Sequence, residues 1–401
     1  MLYPLKFKPY LKFYPYGGRR FVEVLHKEGV PANCDVAETW EISDHGEEQS
    51  VVANGPLAGR TLRSLMEEFG AELVGDEIQA RYGDYFPLLI KFLDCDKRLP
   101  AHMHPNDAHA ERLGLSDKGK TEAWYIVKAD AGAEAYIGTR PGLTAEQFAD
   151  AIESGDTYDG VMNKVATTSG ETYFVPSGRL HGLGEGNLAF EVQQNSDAGF
   201  AWDWAGFIES GVISAEEAAK HPQLAVECAY YEDGAQEQTQ HVTIQEGALT
   251  KTFCCACRYF VLEKLSATEK FTFRDDAPRF NTLTLIGGAA IFRANGEEVF
   301  ARRGESLLIP TEIPVEIEPN TLAGGGELEM LRCYVPDLEM DVIEPLRAHD
   351  KSDEEIAWLG SYGQGNDLLR LLGLPPNTFL VTEAEREAAI ELPGDGGSQF
   401  Q

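Results

Sequence analysis

Apolar and polar positions alternate in short runs along most of the chain, with a few stretches of helical spacing between them. Segments 40–42 (WEI), 51–52 (VV) and 86–93 (FPLLIKFL) read as strands, and 61–69 (TLRSLMEEF) reads as a helix. The continuous run PLLIKFLD predicts a strand buried on both faces, with Lys91 as its exception. Residues 105–119 form a polar insertion, expected to be a loop with a helical turn, in which His109 is solvated. A helix over 144–152 opens on a Thr-x-x-Gln capping box at Thr144 and Gln147. Strands resume at 164–168, 172–175 and 188–193, and a short helix follows at 214–221, with Pro222 expected to stop it. Short strands separated by Gly-rich turns suggest a β-sandwich or jelly roll.

After a polar linker at 233–240, strands return from 242 to 336, with ANGEE as a hairpin turn. Beyond 337 the pattern becomes helical (SDEEIAWLG, DLLRLLG, TEAEREAAIEL), with capping pairs Ser352/Glu355 and Thr382/Glu385. Docking on a sheet face or a dimer contact accounts for these helices, and the terminal GDGGSQFQ reads as disordered. The expected division is 1–205, a helical connector at 206–241, 242–336, and a helical extension at 337–401.

Charge narrows the partners. Lys and Arg number 34 against 66 Asp and Glu, a net charge of −32, which repels nucleic acid and anionic membrane. An anionic sugar phosphate would be repelled too, unless its pocket is locally basic. Seven cysteines without disulfide-framework spacing point to a reducing compartment, the cytoplasm. The start of the chain lacks the apolar core of a signal peptide, and no apolar run reaches membrane-spanning length. Cys254, Cys255 and Cys257 lie in a strand-like run with no partnering CxxC, and read as small buried hydrophobes.

The candidate chemistry lies between residues 98 and 184. His102 and His104 are two apart, so an extended chain points both to one face, and Lys120 and Glu122 share a face for the same reason. Glu122 opens an apolar strand, and His181 follows a Pro-Ser-Gly turn. Imidazole and carboxylate donors together suit Zn, Mn, Fe or Ni. Spacing alone leaves a metal site and a chance clustering on equal footing. With no histidine between His241 and His349, a second histidine-based site is excluded from that part of the chain.

AETWEISDH (37–45), SVVANGPLAGRTL (50–62), FPLLIKFLD (86–94), HPND, GKTEAWYI, VPSGRLHGLG and EVQQNSD (191–197), after the opening YPLKFKPYLKFYPYGGRR, together resemble type I phosphomannose isomerase. The motifs stand in the family's order over about residues 3–336. This resemblance implies an all-β fold: two cupin (jelly-roll) β-sandwich domains with helical insertions, here followed by a helical C-terminal extension. It also implies one divalent metal, zinc first, and conversion of mannose 6-phosphate to fructose 6-phosphate through a cis-enediol. The implied ligands are His102 (where the family has Gln), His104, Glu122 and His181. Lys120 and Glu191 would manage protons, and Asp197 would serve as a structural hydrogen-bond partner.

Departures cluster at the phosphate. The family's Arg falls on Ala201 and its Ser on Pro100, leaving Arg179 as the expected substitute and Arg19, Arg20 and Arg279 as weaker ones. Phe200, Trp202 and Trp204 stand where the Arg segment would be, as faces for a sugar ring or as ordinary core. Alternatives to the isomerase are a sugar-binding protein without turnover, an isomerase of unphosphorylated sugar, and an Fe- or Mn-dependent oxygenase. The last is favoured by the three-His-one-Glu set.

Overall fold

The strand Leu88–Cys95, buried along its whole length, sits between Asn187–Gln194 and Glu38–Ile42 in a six-stranded antiparallel sheet. Thr172–Val175 and Glu122–Ala129 extend that sheet on one side, and Tyr10–Lys12 closes it on the other. A five-stranded sheet faces it, in the order Met162–Ala166, Glu134–Thr139, His181–Leu183, His102–Met103, Phe200–Ala201. Leu93, Trp124, Ile126, Ala135, Ile137 and Leu183 fill the space between the two. This computed structural model describes residues 1–375, apart from 32, 156, 157, 159, 232–237, 321–326, 362 and 364.

A second sandwich follows. Its eight-stranded sheet contains Val242–Glu246, Leu249–Ala256, Val261–Ala267, Leu328–Tyr334, Asn281–Gly287 and Ser306–Ile309, and faces a four-stranded sheet across Leu283, Leu285, Phe292, Ile317 and Met330. The two sandwiches meet back to back. Phe92, Phe190 and Val192 pack with Leu262, Leu331 and Cys333, which explains why the central strand of the first sandwich is apolar on both faces.

The division at residue 205 needs one correction. Leu5–Lys8 pairs with Ser306–Ile309 and Val51–Val52 and so completes the second sandwich, whereas Tyr10–Lys12 joins the first. Pro9 lies between them; it has no N–H for a ladder, and the chain changes sheets there. Two helices, Ala71–Val74 and Asp76–Tyr82, were not expected, because Gly70 and Gly75 interrupt their pattern. Gly75 has φ +97°, and a Cβ there would fall 2.0 Å from Pro278 O, so this junction admits only glycine. The 105–119 insertion holds a capped helix, Asp107–Leu113, rather than a single turn. Pro222 does not stop a helix: it lies in the first turn of His221–Cys228, where its missing N–H costs nothing.

The expected boxes at Thr144/Gln147 and Ser352/Glu355 both form. The extension docks on a sheet face: Leu338, Val342, Leu346, Ile356 and Leu368 pack against Val242, Phe253, Val261 and Tyr334. Thr382/Glu385 and the terminal segment lie outside the described residues, as does most of the polar linker. Cys254, Cys255 and Cys257 are fully buried among apolar side chains. Among the described residues, no helix is long and apolar enough to cross a membrane.

Candidate metal centre

The five-stranded sheet brings the histidines together. His181 and His102 are direct cross-strand partners, and the N–H of Gly178, in the Pro-Ser-Gly turn, donates to His104 O at 2.8 Å. Nε2 of His181 lies 3.0 Å from that of His102 and 3.2 Å from that of His104. Each Nδ1 meets a backbone carbonyl: Pro100 O at 2.8 Å, Ala198 O at 2.7 Å and Arg179 O at 2.8 Å for His102, His104 and His181. A carbonyl accepts only from N–H, so Nδ1 carries the proton and the three Nε2 lone pairs point at one another. Burial holds His104 down to about 3 and His181 to about 4, with His102 also well below its usual value, so all three are neutral.

The opposing sheet supplies the anion. Glu122 Oε2 lies 3.3 Å from His104 Nε2, and its Oε1 lies 3.3 Å from His181 Nε2. Tetrahedral zinc with bonds of about 2.0–2.1 Å sets its donors about 3.3 Å apart. Spacings of 3.0–3.3 Å between facing lone pairs and a carboxylate therefore fit such an ion, and repel one another without a cation between them.

Beside this set runs a row of buried charge. Cross-strand register aligns Trp40, Lys91, Glu191 and Trp124 on the inner face of the six-stranded sheet. Lys91 Nζ lies 3.3 Å from both Glu38 Oε2 and Glu191 Oε1, and Lys120 Nζ lies 3.0 Å from Glu122 and 3.6 Å from Glu191. Trp40 and Trp124 donate their indole N–H to Glu38 and Glu191 at 2.7 and 3.1 Å. Three buried carboxylates against two ammonium groups leave one negative charge unbalanced. Burial, then the charge of Glu122, pushes Glu191 up to about 8, the form in which it can hold a proton. Burial alone would also raise Glu122, but the Lys120 ammonium group beside it holds it well below the carboxylate range. Burial pulls Lys91 down, yet Glu191 and Glu38 outweigh it and keep Lys91 charged.

These groups open into a cavity of about 600 Å³, the size of a small-molecule site. His102, His104, Glu122, Lys120, Glu191 and Asp197 line it, while His181 lies behind His102 and His104 without reaching the lining. Lys91, which the strand pattern marks only as an exception, lines it too. The opposite wall is aromatic: Phe13, Tyr14, Tyr16, Trp204 and Phe207, with ring centroids 5.4 Å apart for Tyr14 and Phe207 and 5.2 Å for Trp204 and Phe207. Of the expected aromatic trio, only Trp204 lines the cavity. Phe200 and Trp202 are core.

Arg179 is corrected outright. Its side chain is fully buried outside the cavity lining and donates from Nη1 to Phe174 O at 2.8 Å, so burial and a backbone partner keep the guanidinium away from the cavity. Arg20 is engaged by Asp94 and Asp130, Arg279 by Asp275 and Asp341, and Arg19 by Cys34 O. Pro100 and Ala201 do line the cavity, and Ala201 is the cross-strand partner of His102.

Comparison with known proteins agrees with this geometry. Residues 5–122 match the family model described as phosphomannose isomerase type I, catalytic domain. The chain is 32% identical over 309 residues to mannose-6-phosphate isomerase ManA of Bacillus subtilis (strain 168), covering 77% of this chain and 93% of that one. It is 29% identical to mannose-6-phosphate isomerase of Streptococcus mutans over 324 residues, 80% of this chain and 94% of the relative. A solved mannose 6-phosphate isomerase from Bacillus subtilis superposes with a TM-score of 0.69 at 26% identity, over 83% of this chain and 99% of the other. A mannose 6-phosphate isomerase solved with zinc and yttrium bound shares the fold, with a TM-score of 0.62 at 17% identity, over 83% of this chain and 100% of that one. With its two cupin sandwiches and its one histidine-rich centre, the chain belongs to the type I phosphomannose isomerase family.

Proposed function

We propose that this protein interconverts mannose 6-phosphate and fructose 6-phosphate, with zinc held by His102, His104, Glu122 and His181. The observation that carries this reading is the convergence of three imidazole lone pairs and one carboxylate at a cavity that also exposes Lys120 and Glu191. Its relatives named as mannose-6-phosphate isomerases support the substrate.

Zinc at that position would polarise the substrate oxygens on C1 and C2 and stabilise the negative charge that develops there. The chain's own residues handle the protons. Lys120 and Glu191 stand 3.6 Å apart, close enough for one to take the C2 proton while the other replaces it at C1. The two carboxylates on Lys91 keep it charged and fixed, and that charge in turn holds Glu191 beside the reacting carbons. The aromatic wall from Tyr14 to Phe207 excludes water and offers ring faces to the sugar's C–H edges.

A reducing cytoplasm is the proposed compartment, supported by seven cysteines that are all free. The partner is a small sugar phosphate. Proton NMR in D2O of zinc-loaded protein with mannose 6-phosphate tests the activity directly. Deuterium should enter at C2, and its absence overturns the isomerase.

A further inference from the structure

Among the described residues, the cavity lining contains three lysines, Lys12, Lys91 and Lys120, and no arginine. Lys91 and Lys120 are each held between two buried carboxylates, and neither can turn to a ligand without stranding them. Lys12 is placed differently. Its one carboxylate partner among the described residues is Glu48, whose side chain is 26% exposed at the rim. Glu48 also lies 3.8 Å from His45 Nδ1, and His45 Nε2 lies 3.1 Å from both oxygens of Asp117. Hydrogen bonds to Asp117 and Glu48 raise His45 to about 10, so it is a cation at neutral pH. Glu48 therefore keeps a positive neighbour when Lys12 leaves it.

Position points the same way. Lys12 Nζ lies 4.1 Å from the centroid of the Trp40 ring and Lys91 Nζ lies 5.9 Å from it, while Lys91 also reaches Glu191 at 3.3 Å. Pairwise contacts lead outward from the metal ligands: Lys120 meets Glu122, Lys120 and Lys91 share Glu191, and Lys91 and Lys12 both lie against Trp40. A hexose phosphate has the same polarity, with the reacting carbons at one end and the phosphoryl group at the other. Trp40 also holds the ammonium group in place, which limits the side-chain freedom lost on binding.

We infer that Lys12 is the phosphate-recognising residue of this cavity, its Nζ exchanging Glu48 for a phosphoryl oxygen while Glu48 stays with His45. The inference takes the identity of the sugar from the isomerase reading, but the anion contact stands apart from turnover. It assigns to Lys12 the work for which Ala201 and the buried Arg179 offer no cation.

The test is equilibrium binding of mannose 6-phosphate, inorganic phosphate and free mannose to zinc-loaded wild type, K12M, K12R and E48Q, with deuterium exchange run in parallel. Expected is a loss of mannose 6-phosphate affinity in K12M of about 10- to 150-fold, the contribution of one charge-assisted hydrogen bond, with free mannose unaffected. Phosphate should compete with the sugar phosphate in wild type and not in K12M. K12R should recover most of the affinity, and E48Q should bind at least as tightly as wild type. The inference is overturned by K12M binding the sugar phosphate like wild type, by an equal loss for free mannose, or by a wild type that binds neither phosphate ligand. Lys12-dependent binding without exchange sustains it and removes the isomerase reading; exchange with K12M unaffected does the reverse.

Discussion

Lys91 Nζ lies 3.3 Å from Glu191 Oε1, across one rung of the six-stranded sheet. The lysine that interrupts an otherwise apolar strand is thus the counter-ion of the group proposed to carry the proton. A lysine so deeply buried is expensive unless paired, and here Glu38 and Glu191 share it. K91M should strand both carboxylates in the sandwich and destabilise the fold by about 3–5 kcal/mol. A urea unfolding curve at neutral pH measures this, and an unchanged midpoint would show that the pair bears no load.

Metal retention should follow the four proposed donors. H104A and E122Q are each expected to lower zinc affinity by more than the ~10- to 100-fold typical of losing an outer-shell partner. Metal analysis after dialysis against a graded chelator reads this out. Zinc retained by both variants at wild-type stoichiometry would place the ion elsewhere.

Lys120 is proposed to move a proton rather than to bind. K120M should therefore lower kcat by about 10²- to 10⁴-fold while KM for mannose 6-phosphate stays nearly constant and zinc content is unchanged. If instead KM rose with kcat intact, Lys120 would be a substrate-binding residue.

Stability should also depend on pH through His45. Its folded value is raised to about 10 from an ordinary 6.5, first by Asp117 and then by Glu48. The stabilisation is complete below the unfolded value, shrinks as pH rises above it, and is lost near the folded one. Urea midpoints of wild type should accordingly fall between pH 6.5 and about 10, and H45N should flatten that part of the profile. Parallel profiles for the two proteins would dismiss the His45 link.

The tail helices cover the outer face of Val242–Glu246 and Val261–Ala267, with Leu346 fully buried in that contact. L346A should cost about 2–5 kcal/mol, the range for emptying a packed leucine site. A much smaller loss in thermal unfolding would mean that the extension is only loosely docked. Deuterium exchange at C2 should be unaffected, because the described residues of the tail line no part of the metal cavity.

Much of the site was legible because strand periodicity is local. A spacing of two puts His102 with His104 and Lys120 with Glu122 on common faces whatever the rest of the chain does, and the Thr144 and Ser352 boxes follow from residues three apart. The order of motifs placed the chain in its family before any fold was known. Periodicity says which side chains share a face, however, and not what that face meets. Only tertiary pairing sets His181 opposite His102, seventy-nine residues away, and turns Lys91 inward onto Glu191. The same pairing buries Arg179 and, among the described residues, leaves Lys12 as the cavity lysine held by a single carboxylate. Lys12 reaches the cavity because the chain changes sheets at Pro9, and the aromatic wall assembles from segments near residues 13–16 and 204–207. Those are long-range contacts between distant strands and loops, and their register is chosen by the packing of whole sheets rather than by any local run of residues.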